Sequence, residues 1–266
     1  GRKSMNTQLN QNSFFGGIKY FLKGFSLSTG KGMKRYTLLP IIINVLLMLV
    51  GYYFSISWSI NYTGDLINCF TPEWLHWTRF IIYPFIFLAV IIVSVLLFTT
   101  ITLIIGAPFY SILAEKSESI LLNKPVPNVP LSRTLKETPA MIWREIAKLI
   151  YRIPIMLLNL VMLFVPVIGE AVIVITGGWC YALDFTSYGF ENNHIQLKKT
   201  YPALKKYRKT CLSFGICVWA SLLIPFLNLF MIPAAVCGGT ALWVDILRPD
   251  FEDDIRKYEA ELEERA

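Results

Sequence analysis

Ser28-Thr29-Gly30-Lys31-Gly32-Met33-Lys34-Arg35 gathers two hydroxyls, two glycines and three basic side chains immediately before a long apolar run. Ser and Thr are good helix caps, and glycine lets a backbone approach a ligand closely. Free amide N–H groups and the positive end of a helix dipole make such a terminus suited to anions. Lys31, Lys34 and Arg35 add charge, and a tetrahedral oxyanion, sulfate or phosphate, would match both the donors and the charge. An ordinary basic flank of a membrane helix competes for the same residues.

The second group that could do chemistry is polar residues set in or beside apolar runs, where burial is costly and a pathway or a partner helix is the usual reason. Asn44 falls two turns into the first run, and Glu115 closes the second. Glu170 and Asn228 stand at breaks in the last two runs, and Asp184, Trp243 and Asp245 at their ends. For an anion path the two asparagines can donate; the acids would pair with Lys/Arg or set a gate. Helix–helix hydrogen bonding explains each residue equally well on its own.

Other chemistry lacks its residues. Gly24-x5-Gly30-Lys31-Gly32 is one residue too long for a P-loop, and Gly32 stands where magnesium would need Ser or Thr. No Ser-His-acid set or GxSxG elbow occurs, so no enzyme is expected. His76 and His194 lie far apart, and Cys69, Cys180, Cys211, Cys217 and Cys237 form no CxxC pair, so no metal or other cofactor is expected.

The elements that would position these residues follow from charge spacing. Of the 266 residues, 55% are hydrophobic and 16% charged, with mean hydropathy +0.51. No Asp, Glu, Lys or Arg occurs over 36–64, 80–114, 153–169 or 210–244. Charge-free apolar stretches of about 18 or more residues read as membrane segments. A soluble enzyme, a disordered regulator and a disulfide-stapled secreted domain are excluded. The net charge of +7 lies in flanks of apolar runs, as topology requires, and does not point to nucleic acid.

The expected fold is an all-α integral membrane protein. Gly1–Ser4 precede Met5 and read as a remnant outside the protein proper, and no cleavable signal is expected. A single membrane domain over 5–266 begins with an interfacial amphipathic segment at 5–35. Transmembrane helices follow at 36–60 and 80–114, then a polar helical region at 115–152. Two hairpins at 153–183 and 210–244 and an acidic tail at 245–266 complete it. Pro166 interrupts the first hairpin; Pro225 and Pro233 interrupt the second. The stretch 198–209 between them has six basic residues and no acid, so both hairpins start and end on the cytoplasmic side, entering the membrane partway in preference to crossing it twice as tight helices. Gly177-Gly178-x5-Asp184 and Gly238-Gly239-x5-Asp245 repeat the same spacing, consistent with close helix packing followed by a membrane exit.

Several segments together resemble the CysZ-type sulfate permease family of the bacterial inner membrane: Gly32-Met33-Lys34-Arg35-x4-Pro40-x3-Asn44, Ala107-Pro108-Phe109-x3-Leu113-Ala114-Glu115, Ile224-Pro225-Phe226-Leu227-Asn228-Leu229-Phe230, Ala235-Val236-Cys237-Gly238 and Trp243-Val244-Asp245. The resemblance covers nearly the whole chain after Met5. It implies sulfate uptake for cysteine synthesis without an ATPase, and a homo-oligomer of subunits with two long membrane helices and two hemi-penetrating hairpins. Sulfate, with sulfite and related oxyanions as rivals, and membrane lipid are the implied partners. The family's sulfate-binding Gly-Leu-Arg-Arg maps onto Gly32, Met33, Lys34 and Arg35. Lys34 replaces a bidentate fork with a point charge. The alternative is a non-transporting membrane scaffold whose basic loops bind anionic lipid or a partner.

Overall fold

A computed structural model of the chain describes residues 12–30, 32–70, 105–125, 131–162, 165, 167–224 and 228–264. Every regular element among them is helical. In chain order these are α1 (Phe14–Ser28), α2 (Lys34–Phe70), α3 (105–121), α4 (Leu131–Met162), α5 (Ile168–Asn192), α6 (Leu197–Lys206), α7 (Arg208–Leu222) and α8 (Asn228–Leu242). A π turn (Trp243–Leu247) and a 3-10 turn (Arg248–Phe251) lead into α9 (Glu252–Glu263).

The chain forms two compact units, residues 1–41 with 107–266 and residues 42–106. In the second unit the described residues are 105–106 and the helix through Phe70, which runs ten residues past the end expected from hydropathy. Leu46, Leu49, Val50, Tyr53 and Phe54 are exposed there, as lipid-facing side chains of a membrane helix would be. Most of the run expected at 80–114 lies outside the described residues.

In the first unit α1 packs on α7 and α8, and α5 packs on the same two helices. Glycines set the approach. Gly17 and Gly24, seven apart, lie on one face of α1; a Cβ on Gly24 would sit 2.1 Å from the Ala234 carbonyl oxygen. The core they close contains Phe214, Val218, Cys237, Leu242 and Trp243, all fully buried. Phe14, Phe15 and Leu22 stay exposed on the rest of α1.

Proline acts as the sequence suggests only in part. The chain breaks between α4 and α5, where Val167 takes a φ of 67°, yet α8 runs unbroken through Pro233 and α4 through Pro139 and Pro154. A helix tolerates proline where neighbouring helices hold its axis straight and the lost N–H bond is compensated locally. Among the described residues, three stretches are long and apolar enough to cross a membrane: Lys34–Gly51, Ile168–Asn192 and Phe230–Glu261. The chain is therefore a helical membrane protein.

Candidate functional site

The α1–α2 corner holds the glycine-rich segment. Gly32 has a φ of +86°, a conformation that side-chain-bearing residues avoid, and a Cβ there would meet nothing within 4 Å. The backbone is thus turned outward and open. Lys34 and Arg35 are exposed on the first turn of α2, whereas Met33 is 2% exposed and anchors the corner in the core. The Arg35 guanidinium lies 5.6 Å over the Tyr36 ring, and the Lys116 ammonium from α3 lies 5.2 Å over the same ring. Tyr36 therefore gathers two cations beside the helix start.

Two sequence expectations change at this corner. The Ser28 and Thr29 hydroxyls do not cap α2: both donate back to the Phe25 carbonyl of α1, at 3.0 and 2.8 Å. Thr37 instead ties α2 to the Ser28 carbonyl at 2.8 Å. The Met33 N–H is also engaged, donating to the Gly30 carbonyl at 3.2 Å. The Tyr36 and Thr37 amides both reach the Met33 carbonyl, and the first-turn amides of Lys34 and Arg35 show no acceptor among the described residues.

The polar residues expected along a pathway separate into different surroundings. Trp243 is fully buried and opens the π turn, a geometry frequent at functional sites. Its ring packs at 4.3 Å on Phe190 and directly over Gly189, where a Cβ would stand 2.3 Å from the ring. Its indole N–H donates to Glu118 Oε1 at 3.1 Å. Asn193 Nδ2 donates to both Glu118 oxygens at 3.0 and 2.9 Å, and the Arg248 Nε approaches to 3.4 Å. Burial pushes the Glu118 carboxyl above its ordinary value; Asn193, Trp243 and Arg248 oppose that rise. Glu115 shares with Glu118, Asn192, Asn193 and Arg248 the lining of a cavity of about 150 Å³.

Asp245 lies apart from this cavity's lining and forms an ion pair with Lys23 of α1 at 2.8 Å. Asp184 pairs with Arg152 of α4. The side chains of Asn44 and Asn228 lie outside what the structure describes; their backbones are in α2 and at the start of α8. Gly32–Arg35 and the Glu118–Trp243 cluster are thus two separate groupings, with Lys116 and Glu118 as near neighbours on α3 bordering one each.

Residues 20–233 match the family described as sulfate transporter CysZ/etoposide-induced protein 2.4. A curated relative from Pectobacterium atrosepticum, named sulfate transporter CysZ, is 33% identical over 236 residues, covering 87% of this chain and 86% of the relative. The chain belongs to this CysZ/etoposide-induced protein family. The family match includes the α1–α2 corner and Glu115, and stops before Trp243 and Asp245.

Sequence reasoning within the family pattern missed Lys116, Glu118, Asn193 and Arg248. Glu118 had a usable signal: it lies one helical turn after Glu115, so both acids share one face of α3. Asn193 and Arg248 had none, because they reach Glu118 from 75 and 130 residues away in the chain. A further buried group, Lys148 with Glu145 at 2.5 Å, Ser187 at 3.0 Å and Glu191 at 3.4 Å, joins α4 to α5.

Proposed function

We propose that the protein carries sulfate across the bacterial inner membrane as a multi-pass channel or permease, feeding sulfate assimilation and cysteine biosynthesis, and acts as a transporter, not an enzyme. The name of the Pectobacterium relative supports the substrate. The observation that carries the reading is the α1–α2 corner: an open glycine with φ +86° followed by two exposed basic side chains at a helix start. Sulfate would sit against the backbone at Gly32–Met33 and the amides and side chains of Lys34 and Arg35, with sulfite and related oxyanions competing for the same donors. Lys116, 5.2 Å over the ring of Tyr36, adds a third cation near this corner.

Beyond this corner, Asn44, Glu115, Asn228, Trp243 and Asp245 are proposed as pathway or gate residues. The α4–α5 and α7–α8 hairpins would enter the bilayer from the cytoplasmic side. The exposed apolar face of α4 (Ile153, Met156, Leu157, Leu160) would meet lipid or a second copy in a homo-oligomer.

Radiolabelled sulfate flux into liposomes tests the reading, with wild type beside the Lys34→Ala/Arg35→Ala double variant. Both side chains are exposed, so the variant is expected to fold and insert normally while its flux falls at least about tenfold, as loss of charge-assisted contacts to an anion requires. Unchanged flux would remove sulfate from this corner. Absence of flux in both, with correct insertion, would favour the scaffold.

A further inference from the structure

A cavity of about 490 Å³ opens between α4, α5 and the α6–α7 junction, within the roughly 300–1,000 Å³ range of ligand sites. Its apolar lining is Ile155, Ile175 and Leu212, with Trp179 beside them. The one hydroxyl there, Thr176, is already engaged, its oxygen 2.8 Å from Asn159 Oδ1 and 2.7 Å from the Val172 carbonyl oxygen. Apart from the Trp179 indole and the cations, the lining therefore offers a water-soluble ligand nothing polar to hold.

Its rim is the opposite. Lys205, Arg208 and Lys209 line one end and are exposed. The acidic tail neutralises their neighbours: Lys206 pairs with Asp250 at 2.7 Å and Lys199 with Asp254 at 2.8 Å. Among the described residues, no acid pairs with the three rim cations. The tail is thus positioned to cancel charge on one side of the basic run and leave it on the side facing the slot.

An apolar slot capped by three uncancelled cations, on a chain that lives in a membrane, matches one molecule in charge and polarity: a lipid with an anionic headgroup and a hydrocarbon tail. We infer that this slot is a binding site for an anionic phospholipid, its phosphate held by Lys205, Arg208 and Lys209 and an acyl chain lying along Ile155, Ile175 and Leu212. Trp179 suits the boundary between the two, where indoles concentrate. This site shares no residue with the Gly32–Arg35 corner and does not depend on sulfate binding there.

Native mass spectrometry of the full chain in detergent, titrated with phosphatidylglycerol or phosphatidylcholine, tests it. Each rim charge near a membrane surface contributes on the order of fivefold in affinity. Wild type is expected to retain phosphatidylglycerol in preference to phosphatidylcholine, and Lys205→Ala/Arg208→Ala/Lys209→Ala to lose that preference at least about tenfold. Ile175→Trp, which fills the slot and keeps every charge, should lose bound lipid as well. A control triple of exposed lysines elsewhere, Lys19→Ala/Lys198→Ala/Lys257→Ala, should bind as wild type. Equal retention of the two lipids, equal loss in the control, or unchanged binding by Ile175→Trp would overturn the site. Displacement by excess inorganic phosphate would reassign the rim to a free anion, and loss of oligomers in Ile175→Trp with an unchanged lipid count would reassign the slot to a second copy. Should the rim triple fail to fold, Arg208→Gln and Ile175→Trp decide the matter by the same readout.

Discussion

The α4–α5 and α7–α8 hairpins repeat the spacing of two glycines followed by an acid, and the repeat performs the same tasks in both. Each glycine pair brings a neighbouring helix close, and each acid forms an ion pair with a cation on an adjacent helix. Their surroundings differ. In α8, Ala234, Ala235, Val236 and Cys237 are fully buried, whereas α4 exposes Ile153, Met156, Leu157, Leu160 and Val161. The glycines show the consequence. A Cβ on Gly239 would stand 2.3 Å from the backbone oxygen of Phe185, and one on Gly238 2.7 Å from that of Tyr20. At Gly177 the obstacle at 2.7 Å is the half-buried ring of Trp219, a side chain that can turn aside. One spacing therefore serves an inner hairpin limited by backbone and an outer one whose first obstacles are side chains, Trp219 at Gly177 and Ile216 at Gly178, with the Ile216 backbone next at 3.1 Å.

That difference can be broken by substitution. Gly239→Ala should have the largest effect, about 3 kcal/mol or more, because backbone cannot retreat as a rotamer can. Gly177→Ala should cost about 1 kcal/mol, as the indole shifts. Thermal unfolding of the two variants in detergent measures both; equal losses would end the distinction between inner and outer hairpins.

The acids should reverse the order. Arg152 and Asp184 are 16% and 14% exposed, so Asp184→Ala strands a largely buried guanidinium, at a cost of about 3 kcal/mol. Lys23 and Asp245 are 39% and 38% exposed, and Asp245→Ala should cost under about 1 kcal/mol. A double-mutant cycle at each pair measures the coupling, and a stronger coupling at Lys23–Asp245 would assign Asp245 a role beyond an exposed ion pair.

A pH-dependent effect concerns the contact between α3 and the π turn after α8. Because burial raises the Glu118 carboxyl above its ordinary value of 4.5, the folded chain binds that proton more tightly than the unfolded chain. Its contribution therefore favours folding below pH 4.5 and is lost as pH rises towards the raised folded value. Glu118→Gln removes this dependence. Melting temperatures of wild type and variant should diverge in the variant's favour by a few degrees as pH rises, for a difference of about 1 kcal/mol. Parallel curves would mean that Asn193, Trp243 and Arg248 fully offset the burial.

Much was legible beforehand. The charge-free runs identify membrane helices because hydrocarbon rejects charge wherever it occurs in a chain, and the repeated glycine–acid spacing was visible in the letters alone. The break before α5 was also readable at Pro166; the continuity of α8 through Pro233 was not, since that depends on the helices packed around it.

The sequence by itself determined that this is a helical membrane protein with a basic, glycine-containing helix start, because polarity and backbone freedom belong to each residue wherever it lies. Only the tertiary structure decided which partners those residues take. It turned the Ser28 and Thr29 hydroxyls back onto α1, brought Lys116 to Tyr36, and joined Trp243 to Glu118 across 125 residues. Such choices rest on distances between helices, and those distances are set by where glycines let two backbones meet.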